Sequence, residues 1–483
     1  MAQLELALDL HPDDIAALRG LPELARLKGA RTRNIVISTV WHDTPDRALA
    51  RDGLAMEERR VGAETSWRLT RMRVAAGATW IPGIPGEALA QGGDLAALGD
   101  IAPEPLLPVV AFDGTSGTVR LASGNGAVSM TLQQGMLRAV AAERAVCALM
   151  LRGPSELVLQ AALAAARATR ASVPARSFAA GAMLLAQPAP PPRRPEPPLL
   201  VKGMAIGEAF AHMAAHLGVT LLALAPAAAA RDGTEPVHQM RVAMRRLRSA
   251  MALFRHAPGC PDLTEALEGL RGLARVLGPA RDWDVFTDET AARLAAFAEN
   301  KPVRRLLAAA RRRRAECYAE LRAYLEGSGF RVLGVRLVAL AATGPWELGD
   351  AEPVTLEAFA AHRLSRLRRK LLADGEDVTH LPAEALHVLR IRAKRLRYAA
   401  EFFAPLFPGK AMARLIRRLS AVQEVLGVLN DGAVTHKLVA ELGRVPAYAA
   451  GVVAGDVAAR AGDTRAGVAA AWRKLHRTPT AWN

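Results

Sequence analysis

The sequence predicts an α+β domain followed by an all-α domain. Three observations carry this: a proline-rich stretch at Gln187–Pro198, short β-rich runs bounded by Gly or Asn before it, and Ala-, Leu- and Arg-rich segments of 3.6-residue periodicity after it. At 483 residues the chain is long for one domain, since domains hold ~100–200 residues. The divisions are 1–186, a linker at 187–198, and 199–483.

In the first division Asn34–Trp41, Gly117–Ala122 and Ala127–Leu132 read as strands. Asp13–Lys28 and Ser155–Arg170 read as helices, the second entered from Pro154. The linker, QPAPPPRRPEPP, favours extended polyproline II and forbids a packed core. Beyond it the chain repeats itself. His238-Gln-Met-Arg241-Val-Ala-Met-Arg245-Arg246-Leu247-Arg248 matches His387-Val-Leu-Arg390-Ile-Arg-Ala-Lys394-Arg395-Leu396-Arg397, an offset of 149. The same offset pairs Glu208-Ala209-Phe210 with Glu357-Ala358-Phe359, Leu277-Gly278 with Leu426-Gly427, and Asp282 with Asp431. The two copies span about 205–345 and 354–483. Asp282 and Asp431 each follow a Gly by four residues, which reads as a helix stop and a new N-cap.

The charge is concentrated in the repeats. Residues 1–186 hold 19 basic and 18 acidic residues, while residues 199–483 hold 42 basic against 28 acidic, a net of +14. Of those 42, 35 are Arg, whose guanidinium grips phosphate oxygens bidentately. A GC-rich genome enriches Arg and Ala as well, so placement must decide. At ~100° per residue, His238, Arg241, Arg245 and Arg248 form one stripe about 80° wide. Val237, Met240, Met244, Leu247, Met251 and Phe254 fill the adjacent arc and are expected in the core, with Arg246 flanking the stripe. His387, Arg390, Lys394 and Arg397 reproduce the stripe, and Arg395 takes the place of Arg246.

A solvated face is the ordinary reading of a charge run. Here like charges stand at i, i+3, i+4 and i+7, with acidic partners nearly absent from either segment, and the pattern occurs twice. A linear polyanion fits better, because successive cations rise ~5.4 Å per turn and can meet successive phosphates. Each histidine reads either as a core-edge residue bonded to a carbonyl or as a donor to phosphate. For His238, just past Glu235-Pro236, the helix N-terminus adds free N–H groups that favour an anion. Further basic residues on helices, Arg311, Arg314, Arg363, Arg366, Arg369 and Lys474, are expected only as secondary phosphate contacts.

His212 and His216 lie one turn apart, but no Cys or acidic residue follows at ligand spacing, so no metal site is expected. No glycine-rich phosphate loop, nucleophile elbow or paired catalytic carboxylates appear. Cys147, Cys260 and Cys317 are scattered and suit a reducing compartment. The N-terminus, with Glu5, Asp9, Asp13 and Asp14, is unlike a signal peptide, and the apolar stretch Leu217–Ala230 is too short to span a bilayer. A cytoplasmic protein with no membrane association is expected.

Gly233–Phe254, its partner His387–Phe403, and the LGPARD and LGVLND segments (Leu277–Asp282, Leu426–Asp431) resemble the CHAD family, the conserved-histidine α-helical domain. The resemblance implies two four-helix bundles related by a pseudo-twofold, with a basic groove or pore for inorganic polyphosphate. By position, His238, Arg241, Arg245, Arg246, Arg248, His387, Arg390, Lys394, Arg395 and Arg397 would line it. Asn430 stands where the first copy has Arg281, and the first copy lacks the arginine cluster at 363–370, so the grip is lopsided.

Ser38–Arg60 and Ser177–Gly181 resemble CYTH, the triphosphate tunnel domain. Its ExExK signature appears as Gln3-Leu-Glu5-Leu-Ala7, Glu57 stands where an Arg is expected, and the closing Ser-Lys is Ser177-Phe178. Thr70-Arg71-Met72 would place Met at another Lys. The resemblance therefore implies a degenerate β-tunnel with flanking helices and no catalytic residues or cofactor; Mg²⁺ or Mn²⁺ would enter only if it were active. The expected function is polyphosphate binding, with polyphosphate-granule proteins as further partners. The alternatives are a metal-dependent triphosphatase and nonspecific nucleic-acid binding. Tyr398 alone stands near the basic helix as an aromatic for base stacking.

Overall fold

The computed structural model describes residues 3–21, 28–31, 34–71, 83, 88–93, 105–123, 126–186, 200–231, 233–257, 260, 262–297, 299–342, 354–462 and 464–482. The proline-rich linker at 187–198 and Met72 lie outside them.

The N-terminal region is one curled antiparallel sheet. Its strands are β1 (Gln3–Asp9), β2 (Lys28–Arg31), β3 (Ile35–Asp43), β4 (Leu54–Val61), β5 (Glu64–Arg71), β6 (Ala88–Gly92), β7 (Leu107–Ser123), β8 (Gly126–Ala139) and β9 (Ala142–Pro154). The spatial order is β1-β9-β8-β7-β3-β4-β5-β6, with β2 paired to β7. The helix expected over Asp13–Lys28 is not continuous among the described residues, and residues 22–27 lie outside them. Two single turns, Pro12–Asp14 and Ile15–Arg19, end where the Gly20 N–H bonds back to the Ala16 and Ala17 carbonyls, and β2 takes 28–31.

Side chains alternate between sheet faces. One face carries Leu4, Leu6, Leu8, Leu149 and Leu151, and α1 (Ser155–Ala168) packs on it through Val158, Ala162 and Ala165. The other face carries Ile37, Trp41, Phe112 and Leu137, covered by α2 (Phe178–Ala186). Phe178 meets Trp41 and Phe112 edge-on, each with ring centroids 5.4 Å apart.

The remainder is helical: α3 (Ile206–Ala230), α4 (Glu235–Phe254), α5 (Thr264–Val285), α6 (Lys301–Glu326), α7 (Ser328–Ala342), α8 (Leu356–Asp374), α9 (Ala383–Phe403), α10 (Lys410–Glu441), α11 (Ala447–Ala461) and α12 (Thr464–His476). The starts of α3, α4 and α5 precede those of α8, α9 and α10 by 150, 148 and 146 residues. Val237, Met240, Met244, Leu247, Met251 and Phe254 are all buried, as their spacing predicts. Burying each large apolar side chain contributes ~1.5–3 kcal/mol, so this stripe fixes the rotation of α4 and aims its cations away from the core.

Two sequence expectations fail here. The helix stops before Asp282 and Asp431 do not occur: α5 runs through Gly278 and Pro279, and α10 runs through Gly427. Buried Leu277, Ala280 and Trp283 hold α5 together across the donor that Pro279 lacks. The apolar stretch at Leu217–Ala230 is also longer than it reads, because α3 begins at Ile206 and has 25 residues. It is the one helix among the described residues long and apolar enough to cross a membrane, and most of its apolar surface lies in the core.

A single apolar core joins the sheet to the helices through α1 and α7. Across this contact the Arg331 Nε donates to the Ala166 carbonyl at 3.1 Å.

A cationic cavity between the repeated helices

The two basic helices pack against one another, and their ridges converge. α4 contributes Arg245 and Arg248, with Arg255 just past its end. α9 contributes Arg392, Lys394 and Arg395; α8 contributes Arg363, Arg366 and Lys370; α5 contributes Arg271. These ten cations line a cavity of about 650 Å³, and among the described residues its wall holds no carboxylate. Among the described residues only Arg392 of the ten has an ion pair, with Asp374.

Arg363 is buried and Arg245, Arg392 and Lys394 are half-buried, while the other six cations are exposed; the charges feel one another. Burial is the first cause that pushes Lys394 down to about 8, followed by Arg390, Arg245 and Arg241. Burial also lowers Arg245 and Arg390, with neighbouring guanidinium groups adding to it. Of the cavity's arginines, the Nε atoms of Arg245 and Arg363 are shielded from solvent and have no hydrogen-bond partner among the described residues. A buried donor left unmade costs ~1–3 kcal/mol, so these groups favour an arriving acceptor. Anionic oxygens answer both demands, the unmatched charge and the idle donors.

The predicted site residues divide into two sets. Arg245, Arg248, Lys394, Arg395, Arg363 and Arg366 line the cavity. His238, Arg241, Arg246, His387, Arg390, Arg397, Arg311, Arg314, Arg369 and Lys474 do not. Several of this second set are held by carboxylates, on a neighbouring helix or, for Arg397, on its own. Arg241 pairs with Asp282, and Arg390 lies 4.0 Å from Asp431. Glu401 takes both Arg246 (3.0 Å) and Arg397 (2.6 Å). The position 149 residues before Glu401 is Ala252, so this carboxylate exists in one copy only.

Arg314 is an internal residue of a different kind. Its Nε lies 2.7 Å from Asp284, which is fully buried and also accepts from the Tyr318 hydroxyl at 2.9 Å. His238 lies within α4, and its backbone N–H already bonds the Thr234 carbonyl. Burial, and then Arg281, lower its pKa, which favours the neutral imidazole.

Arg255, Arg271, Lys370 and Arg392 complete the cavity beyond the predicted set. Arg255 was legible, seven residues after Arg248 on the same stripe. Arg271 and Arg392 enter from faces that only the packing of α5 and α9 reveals.

On the sheet, register places Glu5, Arg152, Ser129 and Arg120 in one row across β1, β9, β8 and β7. Glu57, opposite Trp41, points to the same face and is held by Arg68 at 3.4 Å. Among the described residues no three His, Cys, Asp or Glu side chains gather as metal ligands. The three cysteines are free, and burial pushes the Cys317 thiol up to about 11.

The sequence model of the CHAD domain matches residues 205–440. The CHAD domain from the plant Ricinus communis is 29% identical, with a TM-score of 0.52 over 60% of this chain and 99% of that one. An uncharacterized protein of Mycobacterium tuberculosis is 25% identical over 469 residues, covering 87% of this chain and 84% of that protein. The sheet region resembles a Hippeastrum adenylyl cyclase candidate described as having a dominant triphosphatase activity. That likeness is 10% identical with a TM-score of 0.22, over 33% of this chain and 83% of that one.

Proposed function

We propose that this chain, whose residues 205–440 form a CHAD domain, binds inorganic polyphosphate in the cavity between α4, α8 and α9. One observation carries the reading: ten lysines and arginines line about 650 Å³, with no carboxylate among the described lining residues. Such a cluster is costly to assemble unless an anion of matching density fills it. A thin chain bearing one charge per phosphate can enter where a bulkier polyanion cannot, and guanidinium forks seize two of its oxygens at once. In this reading the protein is cytoplasmic and associates with polyphosphate granules and the proteins on them.

The test is a calorimetric titration with polyphosphates of defined length. The triple variant Arg245→Glu, Arg363→Glu, Lys394→Glu should lose binding while its far-ultraviolet dichroism is retained. Unchanged affinity would move the site elsewhere.

A second reading, a triphosphatase on the sheet, has its own observation. Glu5, Arg152, Arg120, Glu57 and Arg68 share one face. Against it, Arg68 already occupies Glu57, and α2 rests on the same face. We therefore read this region as a non-catalytic relative of the tunnel enzymes. Release of phosphate from tripolyphosphate with Mg²⁺ or Mn²⁺, abolished by Glu5→Gln, would replace this reading with the enzymatic one.

A further inference from the structure

The exposed face of α6 is a second basic surface, separate from the cavity, to which α6 contributes no residue. Lys301, Arg304, Arg305, Arg311 and Arg312 all stand in solvent. None of these side chains has a hydrogen bond or ion pair among the described residues. Their neighbours differ: Arg313 is held by Glu316 at 3.1 Å and Glu320 at 3.2 Å, and Arg314 by Asp284. The opposite face of the helix is anchored, with Val303, Leu306 and Leu307 packed against Ala449 and Val453 of α11.

The position of these charges is unfavourable for the helix itself. Lys301, Arg304 and Arg305 lie in its first turns, where the macrodipole is positive and carboxylates are preferred. The first turn has no acidic residue. Like charges at i, i+3 and i+4 add repulsion. A local arrangement that opposes stability without an internal partner points to an external one.

Geometry narrows the partner. At ~100° per residue, Arg304 and Arg311 form one row and Arg305 and Arg312 another, about 100° away around the helix. Within each row the arginines rise ~10.5 Å apart. Ala308, small and exposed, lies between the rows. A single thin phosphate chain would engage one row. A duplex groove, bordered by two phosphate strands, engages both, and the ~12 Å major groove admits a helix of this diameter.

We infer that α6 docks by this face along a groove of a nucleic-acid duplex, clasping a phosphate strand on either side. The alanine at its centre reads no base, so the contact is independent of sequence. This does not rest on polyphosphate occupying the cavity.

The experiment is fluorescence anisotropy with a short random-sequence DNA duplex and, in parallel, with labelled polyphosphate. The substitutions Arg304→Glu, Arg305→Glu, Arg311→Glu and Arg312→Glu should weaken duplex binding by roughly tenfold or more. The milder set of four alanines should lower the log–log salt slope by about 3 to 4, roughly 0.9 per lost phosphate contact. Polyphosphate affinity should stay at the wild-type value in both variants. Duplex binding that survives both sets overturns the inference. So does a parallel loss of polyphosphate affinity, which would make α6 part of the polyphosphate path.

Discussion

Arg241 of α4 forms an ion pair with Asp282 of α5, and its Nη1 also donates to the Gly278 carbonyl at 3.2 Å. The second copy repeats the relationship more loosely, with Arg390 4.0 Å from Asp431. A continuous ridge is thereby divided. One end is neutralised by carboxylates from the next helix, and the other opens into the cavity.

Removing these carboxylates should strengthen polyphosphate binding. Asp282→Asn and Asp431→Asn keep the shape and release a guanidinium. Partly exposed pairs are worth ~0.2–1 kcal/mol, so an affinity gain of roughly two- to fivefold per substitution is expected by titration. A loss would mean that the aspartates hold the arginines in the binding pose.

The divided ridge also predicts unequal mutants. Arg245→Ala with Lys394→Ala removes two cavity cations and should weaken binding strongly. Arg241→Ala with Arg390→Ala removes two that are already paired and should weaken it little. Equal losses would show that phosphate follows the whole ridge.

Lys394 gives the interaction a pH dependence. Its pKa is pushed down to about 8, and a bound polyanion raises it again. Affinity is therefore full below about pH 8 and falls above it, by at most ~tenfold per pH unit. The folding contribution runs the opposite way. The unfolded chain binds this proton more tightly, so stability rises as pH climbs from about 8 toward the ordinary lysine value near 10.4. Titrations and melts over this range should move in opposite directions, and Lys394→Arg should flatten both.

Gly375 closes α8 against Trp472, where a Cβ would fall 2.0 Å from the indole. Trp472 is buried, so it cannot simply swing aside. Gly375→Ala should cost about 1–3 kcal/mol, the usual scale of overpacking, read as a lowered melting temperature. An unchanged melt would mean the loop after α8 can shift.

Much of the helical half was legible because periodicity reports which way a residue faces on its own helix. It placed Leu247 and Phe254 in the core and set Arg245 and Lys394 on the cationic stripes of their own helices. It could not report what another helix brings. Asp282 and Asp431 come from the next helix, and Glu401 reaches Arg246 of the other copy, so none of these pairings could be read from one helix, although Glu401 at i+4 from Arg397 could have been. The same blindness made Arg314 a surface cation, although Asp284 lies 30 residues away in sequence and 2.7 Å away in space. In the sheet, Gly117–Ala122 was read as a strand but the first part of β7 escaped, because Asp113-Gly-Thr-Ser116 carries no apolar alternation. Its pairing with β3 and β8 supplies what composition withholds.

Glu401, present in one copy and replaced by Ala252 in the other, binds an arginine from each. Two identical halves would hold a phosphate chain equally well in either direction. A single carboxylate makes the two directions unequal in energy. A free polyphosphate has equivalent ends and would not register the difference, but a chain tethered at one end would thread in one sense more readily than in the other.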